Sequence, residues 1–563
     1  MYQKITPLIL FLLTIGIVQA QDYDELSKRV DRTFRQYIAD DKPGAAVVVV
    51  KDGQVVHKNT YGLADYENKI PLSNQSVFDI ASVSKQFAGY AIALLEKEGE
   101  LTLEDDVRTY IPEFPDFGHT ITIGHLLHHQ SGLRDWPGTM LLAGVQFDDV
   151  LTFEQIVAMA YQQEALNFVP GTRYSYSNTG YNVMVEVIQR ITKQSFRQWT
   201  KENIFQPLGM KHTFFKDQYN ESIPNGVKSY FKESDKNYNE VDDLKRSTNA
   251  LTALGSSSLQ TTIDDFARWL QYLDSEEAKD IVTQMQGTMP MKDNPADYAY
   301  GIGIDSYKGL RQLDHSGNWA SFNTYMAYFP DQHFSVAVFL NYENWAEGFA
   351  NKVTDIYLKD EYQKEEERRG KTWFYYEAPP TTTPRKLNLD RSLYTGIYYL
   401  EKYLSYLHIT EEEGQLYVQA TDEDRFPMQA VSATKFWVEA YSSYIYFNAD
   451  RSGNMKSVTY HKSLCERRPP IPSEKVQDFS VYEGSYFSRE LNTSYQIVLK
   501  DGQLYLSHLR NGQVSLEQLW QDGFRSKTIY APRVDFQRNT KGEIEALMIS
   551  QYRSRNQLFR KQK

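Results

Sequence analysis

Three places in this chain carry a residue spacing that could activate a hydroxyl: Ser-x-x-Lys occurs as Ser82–Lys85, Ser229–Lys232 and Ser432–Lys435. A serine hydroxyl is a weak nucleophile until a neighbouring base takes its proton. A lysine can be that base only where its surroundings disfavour the charged form. On a helix, three-residue spacing sets the amine beside the hydroxyl. Only the first copy, in Phe78-Asp79-Ile80-Ala81-Ser82-Val83-Ser84-Lys85, stands at the start of a predicted helix after a strand-rich stretch. A helix N-terminus there would favour developing negative charge and lend N–H groups to an oxyanion. A second group is Tyr176-Ser177-Asn178. Tyr-x-Asn also occurs at Tyr66, Tyr342 and Tyr446, but this copy lies between Pro170-Gly171 and a predicted helix, in a loop stiff enough to present side chains. A tyrosine beside an ammonium can relay protons, and Asn178 offers a substrate amide both a donor and an acceptor. The third group is His315-Ser316-Gly317, the one His-x-Gly in the sequence, on a predicted strand. His125, His128 and His129 have metal-ligand spacing on a helix, yet no His-Glu-x-x-His pattern accompanies them, so no metal or other cofactor is expected. A single cysteine, Cys465, excludes an internal disulfide and any multi-cysteine metal site.

The elements that must position these groups can be read from periodicity. Ala45–Val50 and Gln54–His57 flank Asp52-Gly53 and predict a hairpin. A helix is predicted from Ser82 to Glu98 with Gly99 as its stop, and others over Phe153–Gln162, Tyr181–Thr192 and Ile263–Leu273. Strands are predicted at Tyr300–Asp305, Gln312–His315, Thr324–Phe329 and Ser335–Leu340, then a helix over Ala346–Leu358. Strands first, helices between and strands last imply one α/β domain whose sheet takes strands from both ends of the segment. The charged run Lys359–Arg369 reads as a solvated face, and the Pro- and Thr-rich stretch from Ala378 to Pro384 as a stiff linker. Beyond it the chain repeats itself. Tyr394-Thr395-Gly396 recurs 88 residues later as Tyr482-Glu483-Gly484, and Gly414-Gln415-Leu416-Tyr417 recurs at the same offset as Gly502-Gln503-Leu504-Tyr505. Short alternating runs between turns predict an antiparallel barrel or sandwich for each copy. The expected domains are thus 21–371, a linker at 372–390, and β-barrel-like repeats at 391–468 and 474–563.

Composition narrows the class. In 563 residues there are 61 Lys and Arg against 73 Asp and Glu, a net charge of −12, which disfavours nucleic acid as a partner. With 41% apolar and 24% charged residues the chain is globular rather than disordered. Its 41 tyrosines suit strands with one wet face, and also surfaces that touch sugars or peptides. Residues 1–20 carry one early charge, Lys4, an apolar run from Ile5 to Val18, and a small residue, Ala20, at the exit: the pattern of a secretory signal peptide. No later stretch approaches ~18 uninterrupted apolar residues. The expectation is an exported protein, periplasmic or extracellular, without a membrane span once the signal is removed.

In combination and order, Ser82–Lys85, Tyr176-Ser177-Asn178 and His315-Ser316-Gly317 resemble the penicillin-recognising serine hydrolases: class C β-lactamases, D-Ala-D-Ala carboxypeptidases, D-aminopeptidases and related esterases. The segments Ile123–Leu133 and Leu254-Gly255-Ser256 are similar too, and the resemblance covers about residues 25–360. It implies an α+β fold, with an antiparallel sheet flanked by helices, a helical subdomain, and the site between them. It also implies that Ser82 is acylated with Lys85 as its base, and that Tyr176 shuttles the proton to the leaving group and activates the deacylating water. Asn178, His315 and Gly317 would bind substrate, and the backbone N–H groups of Ser82 and Asn318 would form the oxyanion hole. One departure stands out: β-lactamases of this group usually carry Lys-Thr-Gly where this chain has His315-Ser316-Gly317. An unperturbed histidine, pKa ~6.5, is mostly neutral at neutral pH and gains charge near pH 6. Substrates without a carboxylate beside the scissile bond should be preferred, with carboxylate binding partly restored near pH 6. His-x-Gly and tandem barrels look most like the D-aminopeptidases, so the substrate is expected to be a small molecule or short peptide containing a D-amino acid. A β-lactamase, carboxypeptidase or esterase of the same family remains open, as does a non-catalytic protein that holds peptidoglycan fragments.

Overall fold

The strand β1 (Ala45–Lys51) is a run of small and β-branched residues without polar alternation, as expected where both faces of a sheet are covered. The computed structural model describes residues 23–234, 238–289, 297–363, 379–380, 387, 389–461, 463–470 and 478–563. In it, Ala46, Val48 and Val50 face one core and Ala45, Val47 and Val49 the other. Six more strands complete the sheet: β2 (Gln54–Tyr61), β3 (Tyr298–Ala299), β4 (Ile302–Tyr307), β5 (Leu310–Trp319), β6 (Phe322–Phe329) and β7 (Phe334–Leu340), in the order β3-β4-β5-β6-β7-β1-β2. The two ends of the segment meet where β1 pairs antiparallel with β7, from Ala45 opposite Leu340 to Lys51 opposite Phe334. Asp52 and Gly53 close the β1–β2 hairpin with φ of 51° and 72°, the paired positive angles of a tight two-residue turn.

Helices cover both faces. On one, a helix over residues 23–37 and α4 (Ala346–Leu358) meet through Phe34 and Phe349, ring centroids 5.1 Å apart. On the other lie α1 (Lys85–Glu98), α2 (Asn178–Thr192) and α3 (Ile263–Leu273), with Phe266 against Phe339 of β7. α1 stops at Gly99, whose φ of 77° turns its N–H back onto Glu96 O. Strand β5 extends four residues past the predicted His315, to Trp319, and so carries the whole His315-Ser316-Gly317 group on regular sheet.

The chain forms two compact units, Met1–Trp136 with Gln146–Glu366, and Pro137–Val145 with Glu367–Lys563. The second unit holds two nine-stranded antiparallel, barrel-like sheets. The repeat seen in the sequence is a repeat of hydrogen bonds: Tyr398 OH donates to Tyr394 O as Tyr486 OH does to Tyr482 O, at 2.8 and 2.6 Å. Gln415 Nε2 ties Leu416 O and Met428 O as Gln503 Nε2 ties Leu504 O and Leu516 O. These bonds explain part of the tyrosine excess, since a buried ring fills core while its hydroxyl finds a carbonyl. Sequence gave no sign that Pro137–Val145 belongs to this unit. Leu142 is fully buried among Tyr482, Tyr486 and Tyr495 of the second barrel's core. Leu142 O accepts from Tyr495 OH at 3.0 Å, Leu141 O from Asn511 Nδ2 at 2.8 Å, and Thr139 Oγ1 lies 3.0 Å from Ser554 Oγ. The signal-peptide expectation at 1–20, and most of the linker at 372–390, lie outside the described residues. No helix among the described residues is long and apolar enough to cross a membrane.

Candidate active site

The first Ser-x-x-Lys copy is assembled as its spacing suggests. Residues Ala81–Ser84 form a 3₁₀ turn that runs directly into α1, so Ser82 stands one turn before Lys85 on a continuous helical path. Lys85 is fully buried, and its Nζ donates to Ser82 Oγ at 3.1 Å, Asn178 Oδ1 at 2.7 Å and Ser256 O at 2.6 Å. Asn178 Oδ1 and Ser256 O can only accept. An amine that gives N–H groups to these two acceptors can turn a lone pair to the Ser82 hydroxyl once it is deprotonated. That is the arrangement a general base requires. Ser256 O reaches the amine because Gly255 turns with φ 83° where a Cβ would collide with Val185.

The other two copies are used differently. Ser229 Oγ donates to Ala320 O and Lys232 Nζ to Ser234 O. In the first barrel Ser432 Oγ accepts from Thr434 N, while Lys435 lies over the ring of Tyr444.

Tyr176 and Asn178 arrive from the start of α2. Ser177 caps this helix by accepting from Gly180 N, and its own N–H donates to His129 Nδ1 at 3.1 Å. His129 therefore carries its proton on Nε2, and its ring packs on Tyr176 at 4.2 Å between centroids. Lys85 Nζ lies 4.9 Å from the Tyr176 ring centroid, so the amine lies between Ser82 Oγ and the face of the phenol ring. Asn178 differs from expectation. Its Oδ1 is taken by Lys85, and Asp135 accepts from both its backbone N (2.7 Å) and its Nδ2 (3.1 Å). One N–H and one lone pair of Oδ1 remain beyond these bonds, so any contact with a substrate amide is made by a side chain that also holds Lys85. Asp135 was missed because nothing in its sequence neighbourhood points to a residue 43 positions away.

Gly317 lies where a side chain could not. A Cβ on it would come 2.5 Å from Ile80 O and 3.0 Å from Ser82 N. This close approach sets the end of β5, including Asn318, beside the Ser82 backbone, where the expected oxyanion hole would form. His315 is a correction. It is 7% exposed, Tyr298 OH lies 2.9 Å from its Nε2, and its Nδ1 lies 2.5 Å from Ser316 O. A carbonyl can only accept, so Nδ1 carries the proton and Nε2 accepts from the tyrosine. Both ring nitrogens are thus engaged within the protein. Burial, reinforced by the charge of Lys85, pushes its pKa down to about 3. The expected gain of charge near pH 6 is thereby overturned. The folded protein holds His315 neutral while an unfolded chain protonates it below ~6.5, so this residue's contribution is intact above that pH and is lost as pH falls toward 3. Between pH 8 and 6 the relative kcat/KM for carboxylate-bearing and carboxylate-free substrates should stay flat, and ¹⁵N NMR should show one neutral, Nδ1-protonated ring throughout. A titration of that ring with a midpoint near 6 would contradict the geometry.

The three clustered histidines serve structure. His125 Nδ1 accepts from Thr122 N in a capping box, His128 lies between Gly124 O and Gly287 O, and His129 orients Ser177. Among the described residues no group of three His, Cys, Asp or Glu could hold a metal.

Comparison with known proteins places the chain in a family. The Beta-lactamase family matches residues 30–359. Penicillin-binding protein 4* of Bacillus subtilis (strain 168) is 27% identical over 435 residues, 74% of this chain and 92% of that protein. A D-aminopeptidase of Brucella anthropi is 28% identical over 321 residues, 56% of this chain and 59% of the enzyme, so the match spans about three fifths of that relative. The octameric penicillin-binding protein homologue from Pyrococcus abyssi superposes with a TM-score of 0.52 at 19% identity, covering 87% of this chain and 99% of that one; it shares the fold.

Proposed function

Because the chain belongs to the β-lactamase family and is a serine hydrolase, we propose that it is exported and hydrolyses small amides or short peptides bearing an N-terminal D-amino acid, through an acyl-enzyme on Ser82. The observation that carries the chemistry is the Lys85 amine on Ser82 Oγ with its other two hydrogen-bonding directions already occupied. Lys85 takes the hydroxyl proton as Ser82 attacks the carbonyl carbon. The N–H groups of Ser82 and Asn318 receive the developing oxyanion, and Tyr176, against the amine, passes a proton to the departing nitrogen. Water then enters by the same route in reverse to release the acid.

The D-aminopeptidase reading is supported by the neutral, internally bonded His315. A lysine at this position would offer a substrate carboxylate a permanent charge, whereas His315 offers none. Substrates ending in an amide or ester lose nothing by this; penicillins and D-Ala-D-Ala termini do. The test is a panel of D- and L-alanine amides, D-phenylalanine p-nitroanilide, a muropeptide ending in D-Ala-D-Ala, a chromogenic cephalosporin and p-nitrophenyl butyrate, using mature protein recovered outside the cytoplasm with Gln21 at its N-terminus. Preference for D-amino-acid amides supports the proposal. Higher kcat/KM for the cephalosporin, the muropeptide or the simple ester, or retention inside the cell with Met1 intact, overturns it.

A further inference from the structure

The residue before the nucleophile, Ala81, has φ 46°, in the left-handed region that side-chain-bearing residues avoid. Its N–H donates at 2.9 Å to Oδ1 of Asp79, which thus closes a turn around Ile80. Asp79 is 2% exposed, and its Oδ2 accepts from Asn249 Nδ2 and Gln260 Nε2, each at 2.9 Å. Those two amides are themselves fixed. Gln260 pairs with Asp79 across two short strands, and Asn249 Oδ1 accepts from Trp319 Nε1 at 3.2 Å. Asn249 O accepts from Lys216 Nζ at 2.9 Å, and burial lowers that lysine's pKa. Beyond the bend, Ile80 O accepts from Thr324 Oγ1 at 2.8 Å and Ala81 O from Ser84 Oγ. Every polar group of the bend is therefore tied down, and Asp79 is its one carboxylate.

We propose that Asp79 is a positioning residue for the nucleophile. It holds Ala81 left-handed, which aims Ser82 Oγ at Lys85 and turns the Ser82 N–H toward Gly317. Asp79 touches no reacting atom, so its effect must pass through the backbone of Ala81. Both of its oxygens are needed. Oδ1 holds the bend, while Oδ2 keeps the carboxylate from swinging away by accepting two donors: Asn249, which cannot reverse without breaking the bond from Trp319, and Gln260, whose Nε2 also donates to Ser258 O at 3.5 Å. Residue type matters as well as the turn. A left-handed alanine needs an external restraint, whereas glycine visits the same φ without steric cost.

This inference rests on Ser82 being the nucleophile but not on any substrate class, so its test uses a fluorophosphonate that reports Ser82 reactivity alone. Second-order labelling rates per folded protein are measured for the wild type, Asp79→Ala, Asp79→Asn, Ala81→Gly and Asp79→Ala/Ala81→Gly, with Tm and the titratable fraction recorded alongside. Asp79→Ala should slow labelling roughly 100-fold, the scale of a displacement near 1 Å at a reacting group. Asp79→Asn should lose less, because one oxygen can still meet Ala81 N. Ala81→Gly alone should label nearly as the wild type. Added to Asp79→Ala, it should recover about tenfold in rate, since glycine keeps the bend without the carboxylate. A purely structural role predicts a lower Tm and fewer titratable sites, an unchanged rate at each site, and no recovery from glycine; that result overturns the proposal. If Asp79→Ala does not fold, Asp79→Asn with and without Ala81→Gly makes the same comparison, and a wild-type rate for Asp79→Asn with no response to Ala81→Gly counts against it. A wild type whose label maps to a serine other than Ser82 removes both the nucleophile and this inference, whereas a failed D-amino-acid panel leaves the inference standing.

Discussion

Ser82→Ala should abolish hydrolysis of every substrate the wild type accepts, with kcat falling by several powers of ten. A nucleophile that acts as a unit with its base costs about that much when removed. The fold should barely register the change. Ser82 Oγ is one of the acceptors around Lys85 Nζ, and Asn178 Oδ1 and Ser256 O remain in place. A partly exposed side chain that loses one hydroxyl changes stability by roughly 0.5 kcal/mol or less. The expected outcome is therefore a well-folded, inactive protein with wild-type Tm that a fluorophosphonate no longer labels. Persistent labelling mapped to Ser229 or Ser432 would reassign the nucleophile, although in the fold Ser229 Oγ donates to Ala320 O and Ser432 Oγ accepts from Thr434 N.

The second large effect concerns Lys85 and Tyr176. Lys85→Met and Tyr176→Phe should each lower kcat by roughly 10²–10⁴, the usual worth of positioned acid–base groups. The phenol ring lies against the amine, 4.9 Å from Nζ to its centroid, and in the proposed mechanism the two serve one proton path. The double variant should be little worse than the more damaging single one, because residues that act together are strongly non-additive. Stability separates the pair. Lys85→Met strands two buried acceptors, Asn178 Oδ1 and Ser256 O, at about 1–3 kcal/mol each. Tyr176→Phe keeps the ring and its packing on His129 and should lower Tm less than Lys85→Met does. Additive losses in kcat would show that the two groups serve separate steps.

What the sequence revealed, and what it concealed, follows the range of the interactions involved. Helices at Phe153–Gln162, Ile263–Leu273 and Ala346–Leu358 appear within the bounds their periodicity sets, because an amphipathic stripe is a local property. The Ser82–Lys85 contact was legible for the same reason: three residues on a helical path meet whatever surrounds them. The 88-residue repeat was legible because its hydrogen bonds join near neighbours, such as Tyr398 to Tyr394. Asp135 and Asp79 were invisible as site residues. One acts on Asn178 across 43 positions, and the other through a backbone angle that no residue type announces, since Ala81 carries the positive φ that glycine usually marks. His315 was found, but its charge state was misjudged. Residue type fixes an ordinary pKa near 6.5; burial and the Lys85 charge, both products of the fold, move it to about 3.

The assignment of Pro137–Val145 to the unit that contains the last barrel has a consequence for biosynthesis. Leu142 is synthesised 353 residues before Tyr495, whose hydroxyl binds its carbonyl, and Phe559 of the same core follows Leu142 by 417 residues. At roughly 5–20 residues per second a ribosome takes on the order of 20–70 s to cover that interval. Throughout it, the nascent chain carries an apolar segment whose burial site does not yet exist. The second barrel can close only after its last strand, Ser554–Lys561, has been made, so a chain cut short between the linker and that strand leaves Leu142 bare, with a strong reason to bind a chaperone or aggregate.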